Sequence, residues 1–474
     1  MSQPPLVIDL DGTLLKSDLL VESGLAFVRE KPRHIFAPFY WLMSGKAHLK
    51  AKLAEATDLD VSNLPYNDQV IALIKEQRNL GRRIVLATAS HKIYADKIAQ
   101  HLQLFDRVLA TENKTNLSAH QKRDALIAEY GINGFDYVGN SKDDLPIWQA
   151  ARKAYLVEPE YGVAAKASAH GNVAQVIMSP KSSFKLWTKA LRLHQWGKNL
   201  LIFVPLLASH QLNHLDLFYN SVLGFIFFGL CASSVYLLND LLDLPDDRQH
   251  VTKRYRPFAA GLLSIKLGLF ICPLLLLLAF AGSLWLLPFL FTATLAVYYM
   301  LTLAYSMVFK RRMVIDVITL AALYTLRIIA GAFVIFVWPT FWMLAFSMFI
   351  FLSLALIKRY AELLEAKKEG KTKKTPGRGY FPSDLEMLAS LGASSGYLSV
   401  LVLALYIQDQ TTITMYHYPQ LIWLACPLLL FWISRMWLLT HRGSMHDDPV
   451  VFAFKDRISL IIAGLFGAIF WLAQ

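Results

Sequence analysis

Residues 234–257 read SVYLLNDLLDLPDDRQHVTKRYRP, and this stretch indicates both the fold and the chemistry of the larger part of the chain. A long apolar run leads into it. Acidic and amide side chains then follow at four-residue spacing, namely Asn239, Asp243 and Asp247, with Asp240 beside them. On a helix this spacing puts the side chains on one face. Like charges stacked at the end of a membrane helix are costly unless a cation compensates them.

Carboxylate oxygens of this kind suit magnesium, which usually keeps water and substrate phosphates in its shell. We therefore predict Asp240, Asp243 and Asp247 as catalytic magnesium ligands and Asn239 as a substrate-binding residue. Pro245 lacks a backbone donor, so the helix should kink or end there. The cations that follow indicate a second anionic group on the substrate. These substrate-binding candidates are Arg248, His250, Lys253, Arg254 and Arg256. A solvated helix end is the structural alternative.

The apolar run before this stretch is one of a series. The 474 residues are 55% hydrophobic and 17% charged, whereas soluble domains are about 45–50% apolar and about 25% charged. The excess begins near residue 185. Because a spanning helix needs about 20 apolar residues, the sequence predicts nine spans: 186–208, 217–238, 262–281, 284–304, 314–336, 339–357, 388–407, 418–439 and 456–473.

The loops between these spans alternate in charge. Lys and Arg occur in 239–261, in the loop with Lys310, in 358–387 and in the loop from Arg442 to Lys455. The intervening loops contain neither residue type, namely 209–216, 282–283, 337–338 and 408–417. Basic loops stay in the cytoplasm, so we predict a cytoplasmic N-terminal part without a secretory signal and a C-terminus outside. The net charge of +12 then follows from the excess of Lys and Arg in the cytoplasmic loops, which anionic lipid headgroups attract. It does not indicate nucleic-acid binding.

The string from Asn239 to Asp247 resembles the first acidic motif of the UbiA superfamily of intramembrane prenyltransferases. Its continuation to Pro257 looks more like the decaprenyl-phosphate phosphoribosyltransferase branch. Segments around Trp196, Tyr305 and Asp448-Pro449 are also similar to that branch, so that the resemblance covers about 185–474. It implies a polyprenyl lipid substrate, magnesium and further substrate-binding residues, which are Arg192, Lys198, Asn199, Tyr305, Lys310, Asp316, Arg327, Lys358, Arg359 and Glu362.

One departure from the superfamily pattern limits the class of substrate. Aromatic prenyltransferases of this superfamily carry a second motif of two Asp four residues apart, where this chain has Lys358 and Glu362. A prenyl diphosphate site would lose a metal ligand there, whereas a site for a phosphorylated sugar donor would gain a phosphate contact. Asp316 and Arg327 lie in one apolar stretch. Intramembrane charges are rarely incidental, so the two either pair structurally or line the substrate cavity.

Residues 6–14 read LVIDLDGTL, an apolar strand followed by DxDGT. This resembles the first motif of the haloacid dehalogenase (HAD) superfamily. The resemblance implies that Asp9 is a nucleophile toward phosphorus, that Asp11 protonates the leaving oxygen and that Gly12 allows a tight turn. It also implies that Thr88 binds phosphate and that Lys122 neutralises the intermediate.

The stretch 137–144 looks like the fourth, metal-holding motif of the same superfamily. The resemblance implies a magnesium site made by Asp9, Asp11, Asn140 and Asp144. Asn140 stands where an Asp is usual, which weakens the attraction for a cation. The domain is therefore either a working phosphatase or a degenerate regulatory or docking domain.

Together these features predict two domains. Residues 1–180 form an α/β, HAD-like Rossmannoid domain with a helical cap at about 15–80, and 185–474 form an all-α membrane bundle of about nine helices, joined by the linker 179–183. The predicted enzyme moves a 5-phosphoribosyl group from phosphoribosyl diphosphate to a polyprenyl phosphate, and its HAD-like domain dephosphorylates an intermediate. The alternatives are an aromatic polyprenyltransferase that uses a prenyl diphosphate, and a non-catalytic membrane carrier with a degenerate HAD regulator.

Overall fold

The computed structural model describes residues 3–112, 117–178, 184–370, 379–445 and 448–474. The predicted linker 179–183 and the basic residues Lys371, Lys373, Lys374 and Arg378 lie outside them. Two compact units are present: Met1–Leu191 with Tyr236–Ile271, and Arg192–Val235 with Cys272–Gln474. The loop with the acidic stretch thus groups with the N-terminal part, although the sequence analysis places it in the membrane half.

The N-terminal part contains a six-stranded sheet of order β3-β2-β1-β4-β5-β6, in which every pair is parallel. The strands are β1 Leu6–Ile8, β2 Ile84–His91, β3 Arg107–Thr111, β4 Asp136–Gly139, β5 Lys153–Val157 and β6 Val173–Ile177. Leu6 and Ile8 pack in one core cluster and Val7 in another, because successive side chains of a strand point to opposite faces. Burial on both faces explains the uninterrupted apolar run of β1. The predicted α/β class is confirmed.

Helices follow each strand along the chain. They are α1 Leu19–Glu30, α2 Ala37–Met43, α3 Lys46–Ala56, α4 Asp68–Asn79, α5 Lys92–Leu102, α6 Ala119–Tyr130, α7 Leu145–Ala150, α8 Val163–Ser168 and α9 Phe184–Ala190. The Asp18 carboxylate begins α1 by accepting hydrogen bonds from the amides of Leu20 and Val21 at 2.9 and 3.3 Å, a typical N-cap. Helices α1 to α4 occupy the region for which the sequence predicts a helical cap.

The rest of the chain is helical. Its α-helices are α10 Val204–Ala208, α11 Leu215–Leu242, α12 Leu244–Gln249, α13 Ile265–Leu286, α14 Phe289–Met307, α15 Ile315–Val334, α16 Phe341–Lys368, α17 Leu385–Ile407, α18 Gln410–Met415, α19 Ala425–His441, α20 Pro449–Lys455 and α21 Arg457–Ala473. Within the described residues, seven helices are long and apolar enough to cross a membrane, or eight if the bent pair α20 and α21 counts as one span. The chain is thus an integral membrane protein.

One predicted span differs from the structure. Residues 186–208 do not form a continuous helix but α9, a 3₁₀ segment Leu193–Phe203 and α10. The break begins at Arg192, whose φ of 51° is left-handed, a conformation that no helix interior accommodates. Pro205 occupies the first turn of α10, where its missing donor does no harm.

Helix α11 ends where the sequence predicts a break. It stops at Leu242, and α12 starts at Leu244 with Pro245 in its first turn. The backbone amide of Asp243 still donates to the Asn239 carbonyl at 2.9 Å, and that of Asp247 donates to the Asp243 carbonyl at 2.8 Å. The acidic residues therefore keep nearly helical spacing across the break.

Candidate functional site

The HAD motifs meet at the carboxyl edge of the sheet. Asp9 follows β1, Thr88 lies within β2, and Asn140 follows β4. These strands are parallel neighbours, so their carboxyl ends lie at one edge, where open α/β sheets bind ligands. The Asp9 amide donates to the Val138 carbonyl at 2.9 Å, which holds the start of the DxDGT turn against the end of β4.

Lys122 of α6 completes a buried ionic centre with Asp9. Its Nζ lies 2.7 Å from Asp9 Oδ1 and donates to the Tyr137 hydroxyl at 3.0 Å. Burial raises the pKa of Asp9 to about 7, an effect that Lys122 opposes and Asp144 reinforces. Burial lowers the pKa of Lys122, but Asp9 and Asp144 outweigh it and leave that pKa above its usual value. Lys122 therefore stays cationic beside Asp9.

Asp144 accepts hydrogen bonds from several neighbouring groups, and its role as a metal ligand stays a prediction. Its Oδ1 accepts from the Tyr137 hydroxyl at 2.8 Å, and its Oδ2 accepts from the amides of Asn140 and Ser141 at 3.0 and 2.9 Å. Its Oδ1 also lies 3.9 Å from the Lys122 amino group. These contacts use most of the acceptor capacity of the carboxylate. Asp144 thus orients Tyr137 and Lys122 and anchors the turn after β4.

Asn140 fits a weak magnesium ligand. Its Oδ1 and Asp9 Oδ2 each lie 3.4 Å from the Thr13 hydroxyl, so the amide and carboxylate oxygens converge on one place. Gly12 has a φ of 76°, and a Cβ there would lie 2.3 Å from the Asn140 amide nitrogen. Only glycine allows this approach. Magnesium is commonly held by one or two protein oxygens plus water and phosphate, which this donor set can provide.

Asp11 is held by partners of its own. Its Oδ1 accepts from the Leu19 amide at 2.8 Å, and its Oδ2 accepts from the Ser90 hydroxyl at 2.6 Å. Burial, followed by repulsion from Asp18, raises its pKa above the usual value. This favours the protonated form that a general acid needs.

The structure also places hydroxyl groups that the sequence analysis did not single out. Thr88 is fully buried, and its Oγ1 accepts from the Ser90 amide at 2.9 Å, so Ser90 is the hydroxyl that reaches Asp11. The sequence could have indicated Ser90 as a site residue, because it lies two residues beyond Thr88 and so on the same face of the strand. Tyr137 and Thr13 lie inside the quoted motifs, but only the fold shows their contacts with Lys122 and Asp9.

Two carboxylates of the acidic stretch share one cation. Nη1 of Arg256 lies 3.1 Å from Asp240 Oδ1 and 2.7 Å from Asp247 Oδ2. Both Asp side chains are 3% exposed, whereas the arginine side chain is 27% exposed. Burial raises the pKa of Asp247, and Arg256 opposes that shift. The two carboxylates therefore converge on a single cationic position.

No three His, Cys, Asp or Glu side chains among the described residues are grouped so that they could hold a metal. Magnesium does not need such a cage, because one or two carboxylates suffice when substrate phosphates complete the shell. Asp240 and Asp247 fit that requirement. Asp243 is the residue before α12, and it and Asn239 are half-buried.

The predicted cations of this loop separate into groups. Arg256 contacts the carboxylates, whereas Arg248 forms a buried pair with Glu22 of α1. His250 accepts the Thr252 amide in a local turn, and Lys253 and Arg254 are exposed. The structure thus brings Arg256 to Asp240 and Asp247. Arg248 donates instead to Glu22 and to the Ala259 carbonyl, and its contact with substrate stays a prediction.

In the second unit, two predicted lysines meet at Asp448. Lys198 Nζ lies 2.8 Å from Asp448 Oδ2, and Lys358 Nζ lies 2.9 Å from the same oxygen. The Tyr324 hydroxyl donates to Asp448 Oδ1 at 3.1 Å. Asp448 belongs to a segment that resembles the family, but the sequence predicts no role for it in the site. The signal in the sequence that could have indicated a site residue is an acid just before an apolar helix. Only the fold shows that this acid contacts two lysines that are distant along the chain.

Arg327 is buried among aromatic rings. Its Nε donates to Asn199 Oδ1 at 3.1 Å and its Nη2 donates to the Tyr298 hydroxyl at 3.1 Å. The guanidinium carbon also lies 5.2 Å from the ring centre of Phe228 and 5.5 Å from that of Tyr324, within the range of cation–π attraction. Arg327 and Asn199 thus form one buried polar group, and their role in substrate binding stays a prediction.

Asp316 belongs to a separate network. It pairs with Arg359 at 3.0 Å, and both side chains are fully buried. Arg359 also contacts Glu362 and the Tyr305 hydroxyl. A structural pair between Asp316 and Arg327, one of the two possibilities above, is therefore not what the structure shows. Of the remaining candidates, Arg192 precedes the 3₁₀ segment and Lys310 lies in the short 3₁₀ turn Phe309–Arg311.

Comparisons with known proteins identify the family of each part of the chain. Residues 200–461 match the UbiA prenyltransferase family, and residues 6–149 match the haloacid dehalogenase-like hydrolases. The uncharacterized protein y4nM of Sinorhizobium fredii is 37% identical over 472 residues, which is 99% of this chain and 91% of that protein.

Two further relatives match a shorter part of the chain. Nodulation protein NoeC of Azorhizobium caulinodans is 37% identical over 60% of this chain and 92% of its own length. Decaprenyl-phosphate phosphoribosyltransferase of Mycolicibacterium smegmatis is 30% identical over 60% of this chain and 90% of its own length. The chain therefore belongs to the UbiA prenyltransferase family and carries an N-terminal HAD-like domain.

Proposed function

We propose that the membrane part transfers a 5-phosphoribosyl group from phosphoribosyl diphosphate to a polyprenyl phosphate, and that the HAD-like domain then removes a phosphate from the product. The observation that carries this proposal is the meeting of Lys358 and Lys198 at Asp448. Two ammonium groups suit a phosphate, and one of them, Lys358, stands where a prenyl diphosphate site of this superfamily would have a metal-binding acid. The similarity to decaprenyl-phosphate phosphoribosyltransferase supports the same donor and acceptor.

Asp240, Asp243 and Asp247 would hold magnesium with the donor diphosphate. Bound there, the ion supplies charge that stabilises the departing diphosphate. Arg256 now neutralises two of these carboxylates. With magnesium held there, Arg256 would be available to bind the diphosphate in the bidentate manner that arginine favours.

In the transfer step, an oxygen of the lipid phosphate attacks the anomeric carbon of the donor. A carbon–oxygen bond forms there, and the bond from that carbon to the diphosphate breaks, so that diphosphate leaves with the electron pair. Lys198 and Lys358 orient the lipid phosphate. Arg327, with Asn199 beside it, contributes positive charge in a buried setting, where electrostatic effects are strong.

In the second step, a carboxylate oxygen of Asp9 attacks the phosphorus of the 5-phosphate. The phosphorus–oxygen ester bond breaks, and Asp11 gives its proton to the leaving alcohol oxygen. Lys122 balances charge on the aspartyl-phosphate, which water then hydrolyses to phosphate and free Asp9. Magnesium beside Asp9 and Asn140 would favour the ionised nucleophile. Fusion of the two activities keeps the intermediate local.

We also propose the orientation that the loop charges indicate, with domain 1–180 and the basic loops of domain 185–474 in the cytoplasm. The segment 193–208 counts as a crossing, because a 3₁₀ helix rises about 2.0 Å per residue and the segment then spans on the order of 30 Å. Nine crossings put the C-terminus outside. Cysteine-labelling of intact cells with a membrane-impermeant maleimide, at a Cys appended after Gln474, should give a signal. Labelling only after lysis would contradict the orientation.

The decisive assay incubates membranes that contain the chain with labelled phosphoribosyl diphosphate and polyprenyl phosphate. We expect a labelled lipid that depends on magnesium and that loses one phosphate with time. Prenylation of an aromatic acid from a prenyl diphosphate, without a labelled lipid, would replace this function by an aromatic prenyltransferase. If Asp243→Ala leaves the function of the chain intact, the transferase proposal fails in favour of a carrier.

A further inference from the structure

Arg248 of α12 and Glu22 of α1 form a buried ion pair for which neither step above has a use. Nη1 and Nη2 of Arg248 donate to the two oxygens of Glu22 at 2.9 and 2.6 Å. The side chains are 6% and 3% exposed. Nε of Arg248 donates to the Ala259 carbonyl at 3.1 Å. Glu22 belongs to the HAD-like domain, and Arg248 directly follows the metal-ligand candidate Asp247.

A pair of this kind specifies geometry more than it stabilises. Desolvation offsets much of the attraction between buried charges, so a buried pair persists only where every donor and acceptor is satisfied. Here each of the three guanidinium nitrogens donates a hydrogen bond, two of them to the Glu22 carboxylate and one to a carbonyl of the arginine's own loop. Glu22, α12 and the turn at Ala259 are thereby held in one arrangement.

Helix α12 is too short to be stable without contacts to the rest of the protein. Helix α12 spans only Leu244–Gln249, and isolated helices of this length are unstable. Around the central pair, Arg29 contacts Asp246 at 2.5 Å, and Lys266 contacts Asp18 at 2.7 Å. At Gly261, with a φ of 66°, a Cβ would lie 2.8 Å from the Lys16 Cβ. The loop therefore rests on the HAD-like domain at both ends.

We propose that Glu22 is a positioning residue of the transferase: through Arg248 it holds α12 so that Asp247 and Asp240 converge on one cation, and the HAD-like domain thereby completes the diphosphate site. Residues 247 and 248 are neighbours on one helical turn, so the direction of one side chain sets that of the other. The inference rests on the proposed function only in requiring that the acidic loop binds magnesium and a diphosphate.

A double-mutant cycle tests this coupling in the full-length protein in detergent. The variants are Glu22→Ala, Arg248→Ala and their combination, with Glu30→Ala, an exposed position of the same helix, as the matched control. The measurement is binding of inorganic diphosphate with magnesium by titration calorimetry, together with KM and kcat of the transfer. We expect each single variant to weaken diphosphate binding and to raise KM for the donor about tenfold, the range seen when supporting partners of metal ligands are removed.

The combination should be no weaker than either single variant, because both remove the same contact, and Glu30→Ala should match the wild type. If Glu22→Ala binds diphosphate as the wild type does and Arg248→Ala loses that binding, Arg248 contacts the substrate directly. This result would overturn the proposal. Additive losses in the combination would do the same.

Hydrolysis of a generic phosphate ester by Glu22→Ala reports whether the HAD-like domain is folded. If it is not, Glu22→Gln, which keeps the side-chain volume but loses the charge, is measured in its place and judged by the same outcomes. A wild-type protein that binds magnesium and diphosphate without transferring phosphoribosyl would contradict the proposed function and leave this inference intact, so the two failures are distinguishable.

Discussion

Two carboxylate clusters in this chain each carry a cationic side chain of their own, and the two cations are held in very different ways. Lys122 is 5% exposed, on the regular helix α6, and contacts Asp9, Tyr137 and Asp144. Arg256 is 27% exposed and directly follows a 3₁₀ turn. The first cation is a permanent part of its site. The second is more exposed, which agrees with the proposal that a metal and an anionic substrate bind at its site.

The largest effect that follows from this difference concerns the nucleophile. Asp9→Asn should lower phosphate-ester hydrolysis by about 10³-fold or more, because removal of a nucleophile leaves only the residual catalysis of the rest of the site. The lipid-linked sugar phosphate should then accumulate in the labelled-donor assay. Hydrolysis is measured as phosphate release, and Asp124→Asn, on the exposed surface of α6, is the control. Hydrolysis that survives in Asp9→Asn would remove the HAD-like domain from the proposed reaction.

A somewhat smaller effect is expected at the cluster beside Arg256. Asp247→Asn should lower the transfer rate by about 100-fold or more, because a direct ligand should matter at least as much as the outer-shell partners of ligands, whose loss costs about 10–100-fold. Excess magnesium should restore part of the rate. Asp58→Asn is the control, since Asp58 is exposed and contacts Lys97 on the surface. Equal rates for the two variants would contradict the assignment of Asp247.

The lysines at Asp448 provide a test with a still smaller effect. Lys358→Met should raise KM for the polyprenyl phosphate about tenfold and change kcat less, because a lost charge-assisted hydrogen bond is worth about 1.5–3 kcal/mol. Lys367→Met, at an exposed position of the same helix α16, should behave as the wild type. If both variants lower kcat alone, Lys358 does not bind the lipid phosphate.

The last prediction concerns the stability of the fold and not the activity, at a carboxylate with a structural role. Asp136 lies at the start of β4, away from the strand ends that form the site, and contacts Arg82 and Arg152. Burial raises its pKa, but hydrogen bonds from Arg152 and then Arg82 outweigh it, so the pKa is lowered overall. Its stabilising contribution is therefore complete above the unfolded pKa of about 3.9 and is lost as the pH falls through the lower folded value.

Asp136→Asn should thus destabilise the chain at neutral pH, by about 3–5 kcal/mol at most. The difference from the wild type should shrink below about pH 4, where the wild-type carboxylate begins to take up protons. Both differences in unfolding free energy are measured by urea unfolding in detergent at pH 7 and at pH 3, with tryptophan fluorescence as the signal. A difference that stays constant between these pH values would show that the ion pair is not the cause.

Much of this architecture could be predicted because its physical signals are local. Burial on both faces makes β1 a continuous apolar run, and Pro245 ends α11 where its missing donor requires. Local patterns failed where tertiary contacts compete with them. Residues 186–208 are apolar enough for a span, yet the chain breaks at Arg192, and the 3₁₀ segment that follows carries Asn199 to Arg327. Thr88 and Ser90 are equivalent in the strand pattern, and only packing decides which hydroxyl meets Asp11.

The sequence by itself determined the family, the two kinds of domain and the residues that carry charge into apolar surroundings, because spacing and hydropathy are properties of the chain alone. Only the tertiary structure decided the partners of those charges. Arg248 pairs with Glu22, which is 226 residues away along the chain, while Arg256 takes the place beside Asp240 and Asp247. Similar cations in one short loop differ in role because burial and geometry, and not residue type, determine which carboxylate each can reach.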